Sequence, residues 1–344
     1  MAKITAYGFL FAALLVVSAV GEERAELPAR MRIIGEAVSQ AFGEPAENLE
    51  ACTVAICSSR NDPDDVLLLG AVVSPDGFIV TKASDLPARI WVAFADGEIE
   101  RAKLIGKDRV NDVAFLKIDR ATAEFVSWGS TKELKRGHWL ASVVPGDNVF
   151  HVGVVSANRR SLARSGGVLG VMLGRDGAGI GGIMVGQVME QSGARAAGLE
   201  RGDVITAING EQVLTTEELK EIITSHDAQD IVVLSVERGV EELELSVELG
   251  HRAHVFERTS RNQLMSGNTS KRRVGFNEIV QHDIPLEAQF MGGPVVGLDG
   301  KAVGLNIARA NRAETYLLPA EEVLSSIERI LNGEIEAAEG ASDL

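Results

Sequence analysis

Between residues 66 and 118 short apolar, β-branched runs alternate with turn signals at intervals too close for long helices. The runs at 66–73, 78–81, 90–94, 99–105 and 113–118 are punctuated by Pro75-Asp76-Gly77 and Asp96-Gly97. This cadence is that of a β-sandwich or barrel. A second set follows at 137–144 and 149–157, after which the pattern changes. A chain of 344 residues has room for about two domains.

The change begins at Val168-Leu169-Gly170-Val171, which leads into Gly182-Ile183-Met184-Val185-Gly186-Gln187-Val188. Then comes Ser192-Gly193-Ala194-Arg195-Ala196-Ala197-Gly198-Leu199, followed by Gly202-Asp203-Val204-Ile205 and Asn209-Gly210. Thr215-Thr216-Glu217-Glu218 offers a capping box before an amphipathic helix through Ser225. This stretch resembles a bacterial PDZ domain. Such modules take a peptide as an extra strand along an exposed edge and hold its terminal carboxylate in a nest of backbone N–H groups. The resemblance implies that Val168, Leu169, Gly170 and Val171 form the nest, with Leu219, Ile222 and Ile223 lining the side-chain pocket. For Leu169, Leu219 and Ile223 a plain core role is the alternative.

The flanking segments resemble a different family. Gln289-Phe290-Met291-Gly292-Gly293-Pro294, with Val295-Val296 and the Asp299-Gly300 turn behind it, is similar to the nucleophile segment of trypsin-like proteases of the HtrA/DegP type. That family reads Gly-Asn-Ser-Gly-Gly-Pro, so Met291 stands at the serine position. A thioether has no proton to lose and cannot attack a carbonyl. Ser74–Leu86 is similar to the segment carrying the general base, and there Ser84 replaces the histidine. The first histidine of the chain is His138, and no serine or cysteine lies between Ser270 and Ser325. Asn111-Asp112-Val113-Ala114-Phe115-Leu116-Lys117 matches the third element, which makes Asp112 the orienting carboxylate. The triad is degenerate at Ser84 and Met291. Loss of the nucleophile or the base costs on the order of 10⁶ in turnover, since the triad acts as a unit. His282 beside Asp283 does not rescue it, because neighbours on a strand point to opposite faces. Ser84 has no base evident in the sequence. Met291 is expected to plug the former cleft, which an inaccessible side chain would support.

The fold class implied is mainly β: a trypsin-like double β-barrel with an inserted α/β PDZ domain. The boundaries read as a signal peptide over 1–20, a helical lead over 21–50, the first protease part over 51–160 and the PDZ module over 165–250. A linker over 251–274 precedes the second protease part with its terminal helix, 275–332, and a disordered tail over 333–344. The insertion within the second barrel departs from the usual HtrA order, where the module follows the protease domain. The cluster Lys271-Arg272-Arg273 reads as a solvated loop tip.

The apolar run 8–20 is shorter than the roughly 20 residues of a membrane span. With Ser18, Ala19 and Gly21 behind it, it reads as a cleavable secretory signal, so the mature protein is expected in the periplasm or outside the cell without stable membrane insertion. A net charge of −15 disfavours nucleic acid as a partner. Cys52 and Cys57 read as two residues of one strand, too far apart to pair. His251-Arg252-Ala253-His254 is an isolated pair without metal spacing, and no cofactor is implied. Three functional readings stay open. One is a pseudoprotease that binds peptides, C-termini or unfolded exported proteins through its PDZ groove. The others are a structural or regulatory subunit that pairs with an active HtrA relative, and an endopeptidase with an unorthodox site; assembly as a homo-oligomer or as a hetero-oligomer with HtrA relatives is also open.

Overall fold

The computed structural model describes residues 36–62, 65–122, 124–145, 150–177, 179–256 and 267–335. The expected signal segment, the start of the lead helix and most of the tail lie outside these residues. Helix α1 (Glu36–Cys52) comes first. Six strands follow, β1 (Thr53–Cys57), β2 (Val66–Val72), β3 (Phe78–Lys82), β4 (Ile90–Ala93), β5 (Ile99–Asp108) and β6 (Val113–Ile118). They close into an antiparallel barrel in the order β1-β2-β3-β6-β5-β4. β3 illustrates why: Ile79 and Val80 are both wholly buried, so its two faces pack on different apolar clusters. The turn before it needs Gly77 at φ +84°, since a Cβ there would lie 2.4 Å from the carbonyl oxygen of Arg120.

β7 (Trp139–Val143) and β8 (Phe150–Leu162) begin a second barrel, which β15 (Phe276–His282), β16 (Pro294–Val296), β17 (Ala302–Asn311) and β18 (Glu314–Pro319) complete. The intervening chain builds its own sheet from β9 (Val171–Gly177), β10 (Gly182–Val188), β11 (Val204–Ile208), β12 (Glu211–Gln212), β13 (Ile231–Arg238) and β14 (Glu241–Glu248). The order is β14-β13-β11-β10-β9, with β12 paired to β11. Helices α2 (Gly193–Ala196) and α3 (Thr216–Ser225) belong to this unit, and its apolar core is separate from those of the barrels. α3 starts at the expected capping box: the Thr215 hydroxyl accepts from the Glu218 N–H at 3.2 Å, and the Glu218 carboxylate accepts from the Thr215 N–H at 3.1 Å. A short helix, α4 (Arg252–Val255), follows β14. The chain re-enters the second barrel and finishes with α5 (Ala320–Leu331), whose Ser326 and Arg329 bond Asp108 of the first barrel.

Two sequence expectations change. Cys52 ends α1 instead of lying in a strand, and the Thr53 hydroxyl donates to the Leu49 carbonyl at 2.7 Å, satisfying an acceptor of the last turn. Both thiols are free and buried. Within the Lys271–Arg273 cluster Lys271 is solvated as expected, whereas Arg272 and Arg273 are 7% and 8% exposed. The Arg272 guanidinium donates to the carbonyls of Val110 and Gly275 at 2.7 and 2.8 Å and stacks 4.5 Å from the Phe276 ring, so composition misjudged a planar cation suited to knitting loops together.

Candidate functional site

Two places in the molecule gather chemistry. The first lies where β3, the turn before β6 and the PDZ unit meet. Asp112 adopts φ +60° and presents both carboxylate oxygens to Ser84: Oδ1 accepts from the Ser84 N–H at 2.7 Å and Oδ2 from the Ser84 hydroxyl at 2.9 Å. The structure thus brings together two of the three degenerate triad positions. A residue that sequence reasoning passed over completes the cluster. Lys82, wholly buried, donates its ammonium to the Ser84 hydroxyl, lies 2.7 Å from Asp85 Oδ2 and 3.1 Å from Asp112 Oδ2. The signal was present, because residues two apart on an extended segment share a face. Burial pushes the Asp85 carboxyl up, but the attraction and hydrogen bond of Lys82, with Lys271 beyond, outweigh it and hold the group below its ordinary value. Lys82 faces the hydroxyl as a hydrogen-bond donor, the opposite sense to a base receiving a proton.

Met291, the third position, is not in this cluster. Its side chain is 0% exposed and packs with Leu69, Leu140, Val295 and Leu317 in the apolar cluster between the barrels. The preceding 3₁₀ turn Ala288–Phe290 directs the Phe290 N–H to the Glu287 carbonyl at 3.0 Å and the Met291 N–H toward the Ala288 carbonyl at 3.4 Å. These amides are therefore not aimed at a vacant oxyanion position. Gly292, at φ +95°, admits no side chain, since a Cβ would meet the Leu69 carbonyl oxygen at 2.2 Å. His282 is wholly buried while Asp283 is exposed and accepts from the Val154 N–H, so the pair is split between faces as expected. β16 pairs with β17 as far as Leu305, Gly292 and Gly293 bond Asn306, and further along Ser270 occupies the β17 edge at Arg309. The Ser270 N–H donates to the Arg309 carbonyl at 3.0 Å, and the Ser270 hydroxyl accepts from the Arg309 N–H at 2.9 Å.

The PDZ unit sits against the first cluster. Gln229 donates to the Ser84 carbonyl at 3.4 Å, and Arg109 lies 3.5 Å from Asp230. Ser84 faces a cavity of about 610 Å³ shared with Ser192, Gln229 and His251. Burial, together with the nearby Arg272, pushes the His251 imidazole down to about 4.

The second place is the groove between β9, an edge strand, and α3, with a volume of about 650 Å³. Val168, Leu169, Gly170, Val171, Leu219 and Ile223 line it. Ile222 does not line it, but packs partly buried against the PDZ core. Leu169, Leu219 and Ile223 also belong to that core, so the plain core role holds at all three positions while each faces the groove. At the closed end the carbonyls of Leu169 and Gly170 accept from Ala194 and Met189, while their own N–H groups have no partner among the described residues. Gly170 is held at φ +81°, where a Cβ would stand 2.2 Å from Ser192 Cβ. At the other end Asp176 accepts from the N–H and hydroxyl of Thr216 at 2.7 and 2.6 Å, tying β9 to the start of α3.

The family model described as a trypsin-like peptidase domain matches residues 69–199, and the one described as a PDZ domain matches 151–249. They overlap over 151–199, where the structure already passes from β8 into the PDZ sheet. Proteins named probable periplasmic serine endoprotease DegP-like are similar to this chain. That from Hahella chejuensis is 25% identical over 53% of this chain and 56% of its own length. That from Pseudomonas putida is 24% identical over 53% and 55%, and one from Pseudomonas savastanoi is 38% identical over 27% and 20%. The chain spans about half the length of the longer-matching relatives. Among the described residues no helix is long and apolar enough to cross a membrane. Two six-stranded barrels with a PDZ sheet, the matches over residues 69–249 and the DegP-like relatives together support an HtrA/DegP-type family for this chain.

Proposed function

We propose that this chain is an exported HtrA-like pseudoprotease that binds exposed peptides or protein C-termini through its PDZ groove, acting as an adaptor or holdase in the periplasm or outside the cell. One observation carries the reading: the residue at the nucleophile position, Met291, is a thioether with no solvent contact, packed as core between the barrels. Three features support it. Lys82 and Ser84 occupy the neighbourhood where a base would meet Asp112. The N–H groups of Phe290 and Met291 are turned back to the carbonyls of Glu287 and Ala288. Ser270 blocks the β17 edge, so a further strand would have to displace it. The groove, in contrast, is open and lined by apolar side chains beside two N–H groups without a partner among the described residues. The periplasmic location rests on the names of the relatives and on the signal-like segment at the start of the sequence.

A second reading has one observation in its favour. Ser84 is partly accessible, lies in a cavity and touches a lysine, which is the pairing of a serine–lysine hydrolase. The contacts argue against it, because Lys82 donates to Ser84 and to two carboxylates. Degradation of a fluorescent unfolded protein by the purified chain separates the readings. No turnover by the wild type, with retention of peptides on the groove, is the expected result. Turnover that disappears in Ser84→Ala would establish the hydrolase instead.

A further inference from the structure

We infer that Arg252, contributed by the linker beyond the PDZ sheet, is a specificity-determining residue of the groove and pairs with the free α-carboxylate of a bound peptide C-terminus. The inference rests on the reading of the groove as a peptide site and adds the group that selects the peptide's end.

The linker is fixed to the closed end of the groove by Val255. This side chain is 7% exposed, and its methyl groups lie 2.7 Å and 2.5 Å from where Cβ atoms of Gly170 and Gly250 would stand. Those glycines thereby admit the helix to direct contact with the loop that carries the unpaired amides. Val168 and Gly250 exchange two backbone hydrogen bonds, of 3.0 and 2.8 Å, which hold the root of α4 beside the same loop. Arg252 lies one helical turn before Val255, and both Arg252 and Phe256 line the groove together with residues 167–171.

Among the described residues no carboxylate answers the charge of Arg252. Its guanidinium stands 5.5 Å from the centroid of the Phe256 ring. The other charged residues lining the groove, Asp176, Glu217 and Lys220, all stand along the opposite end, near the start of α3. Of these, Asp176 is already engaged by Thr216. At the loop end there remain one cation and the N–H groups of Leu169 and Gly170, a donor set that matches the two oxygens of a carboxylate. The apolar side chains of Leu169, Leu219 and Ile223 beside it suit an aliphatic terminal residue.

The test uses the full chain and fluorescein-labelled decapeptides ending in Leu, Val, Phe or Ala, each made as the free acid and as the carboxamide. Wild-type protein is expected to prefer the acids, and Arg252→Gln to lower the ratio of acid to carboxamide affinity about tenfold. Arg252→Lys is expected to keep part of the preference, and added salt to erode it in the wild type. Arg252 is exposed, and an unchanged melting curve verifies that the variants are folded. Two results overturn the inference and leave the groove as a peptide site: equal binding of acids and carboxamides by the wild type, or an undiminished acid preference in Arg252→Gln. Failure of every peptide to bind the wild type overturns the groove reading and the inference together.

Discussion

The Lys82 ammonium lies 3.1 Å from Oδ2 of Asp112, with 0% and 1% of the two side chains exposed. A carboxylate at an orienting position has here become half of a buried ion pair. Asp112→Ala strands the cation with Asp85 alone, and breaking such a pair costs about 3 kcal/mol. The expected outcome is a barrel that unfolds at lower urea concentration, with an unfolded-protein assay expected to read zero before and after the substitution. Unaltered stability would contradict the structural role given to the pair.

Placing a serine at position 291 is not expected to confer hydrolysis. Met291→Ser removes most of a fully buried side chain and buries a hydroxyl, at a cost of roughly 2–4 kcal/mol. Met291→Leu keeps the volume and stays within about 1.5 kcal/mol. Thermal melts rank the three proteins, and an unfolded-protein assay on Met291→Ser, alone and with Ser84→His, is expected to read zero.

Acid weakens the second barrel through His282. Burial pushes this imidazole from 6.5 down to about 4, while its Nδ1 accepts from the Ile284 N–H at 3.2 Å. The unfolded chain takes up the proton near 6.5 and the folded chain only near 4. The full stability is thus present above pH 6.5 and falls as the pH drops toward 4, by about 3 kcal/mol in all. Urea titrations across that range are expected to show the decline, and His282→Gln to flatten it.

Gly170→Ala tests the groove loop. The residue needs φ +81° and has no room for a methyl group beside Ser192. Peptide affinity is expected to fall by more than about tenfold, with a loss of roughly 1–3 kcal/mol from the PDZ transition. Wild-type affinity in this variant would show that the loop does not form the peptide-binding end.

The two thiols are expected to be inert in the folded protein. Burial, with a contribution from Glu124, pushes Cys52 up to about 11, and Cys57 is raised as well. Only the thiolate reacts, so labelling by a disulfide reagent at pH 8 should wait for unfolding. Rapid labelling of native protein at either position would refute the buried placement.

The strand cadence, the PDZ signature and the capping box at Thr215 were legible because each is local: turn residues, side-chain alternation and cap spacing act within a few positions. The substitutions at Ser84 and Met291 were equally plain, since a missing histidine or serine is a fact of the chain. Lys82 could have been found from its two-residue spacing to Ser84, but only the fold shows that Asp85 and Asp112 converge on the same ammonium. Other features depended on segments far apart in sequence. Ser270 reaches the β17 edge at Arg309, Arg272 ties the linker to the first barrel, and Val255 seats α4 on Gly170. The sequence by itself determined which elements form and which reactive atoms are missing, because backbone preferences and side-chain chemistry are carried residue by residue. Tertiary structure alone decided what fills the vacated site and what faces the peptide groove, because burial and charge pairing belong to neighbours that the chain brings together only when it closes.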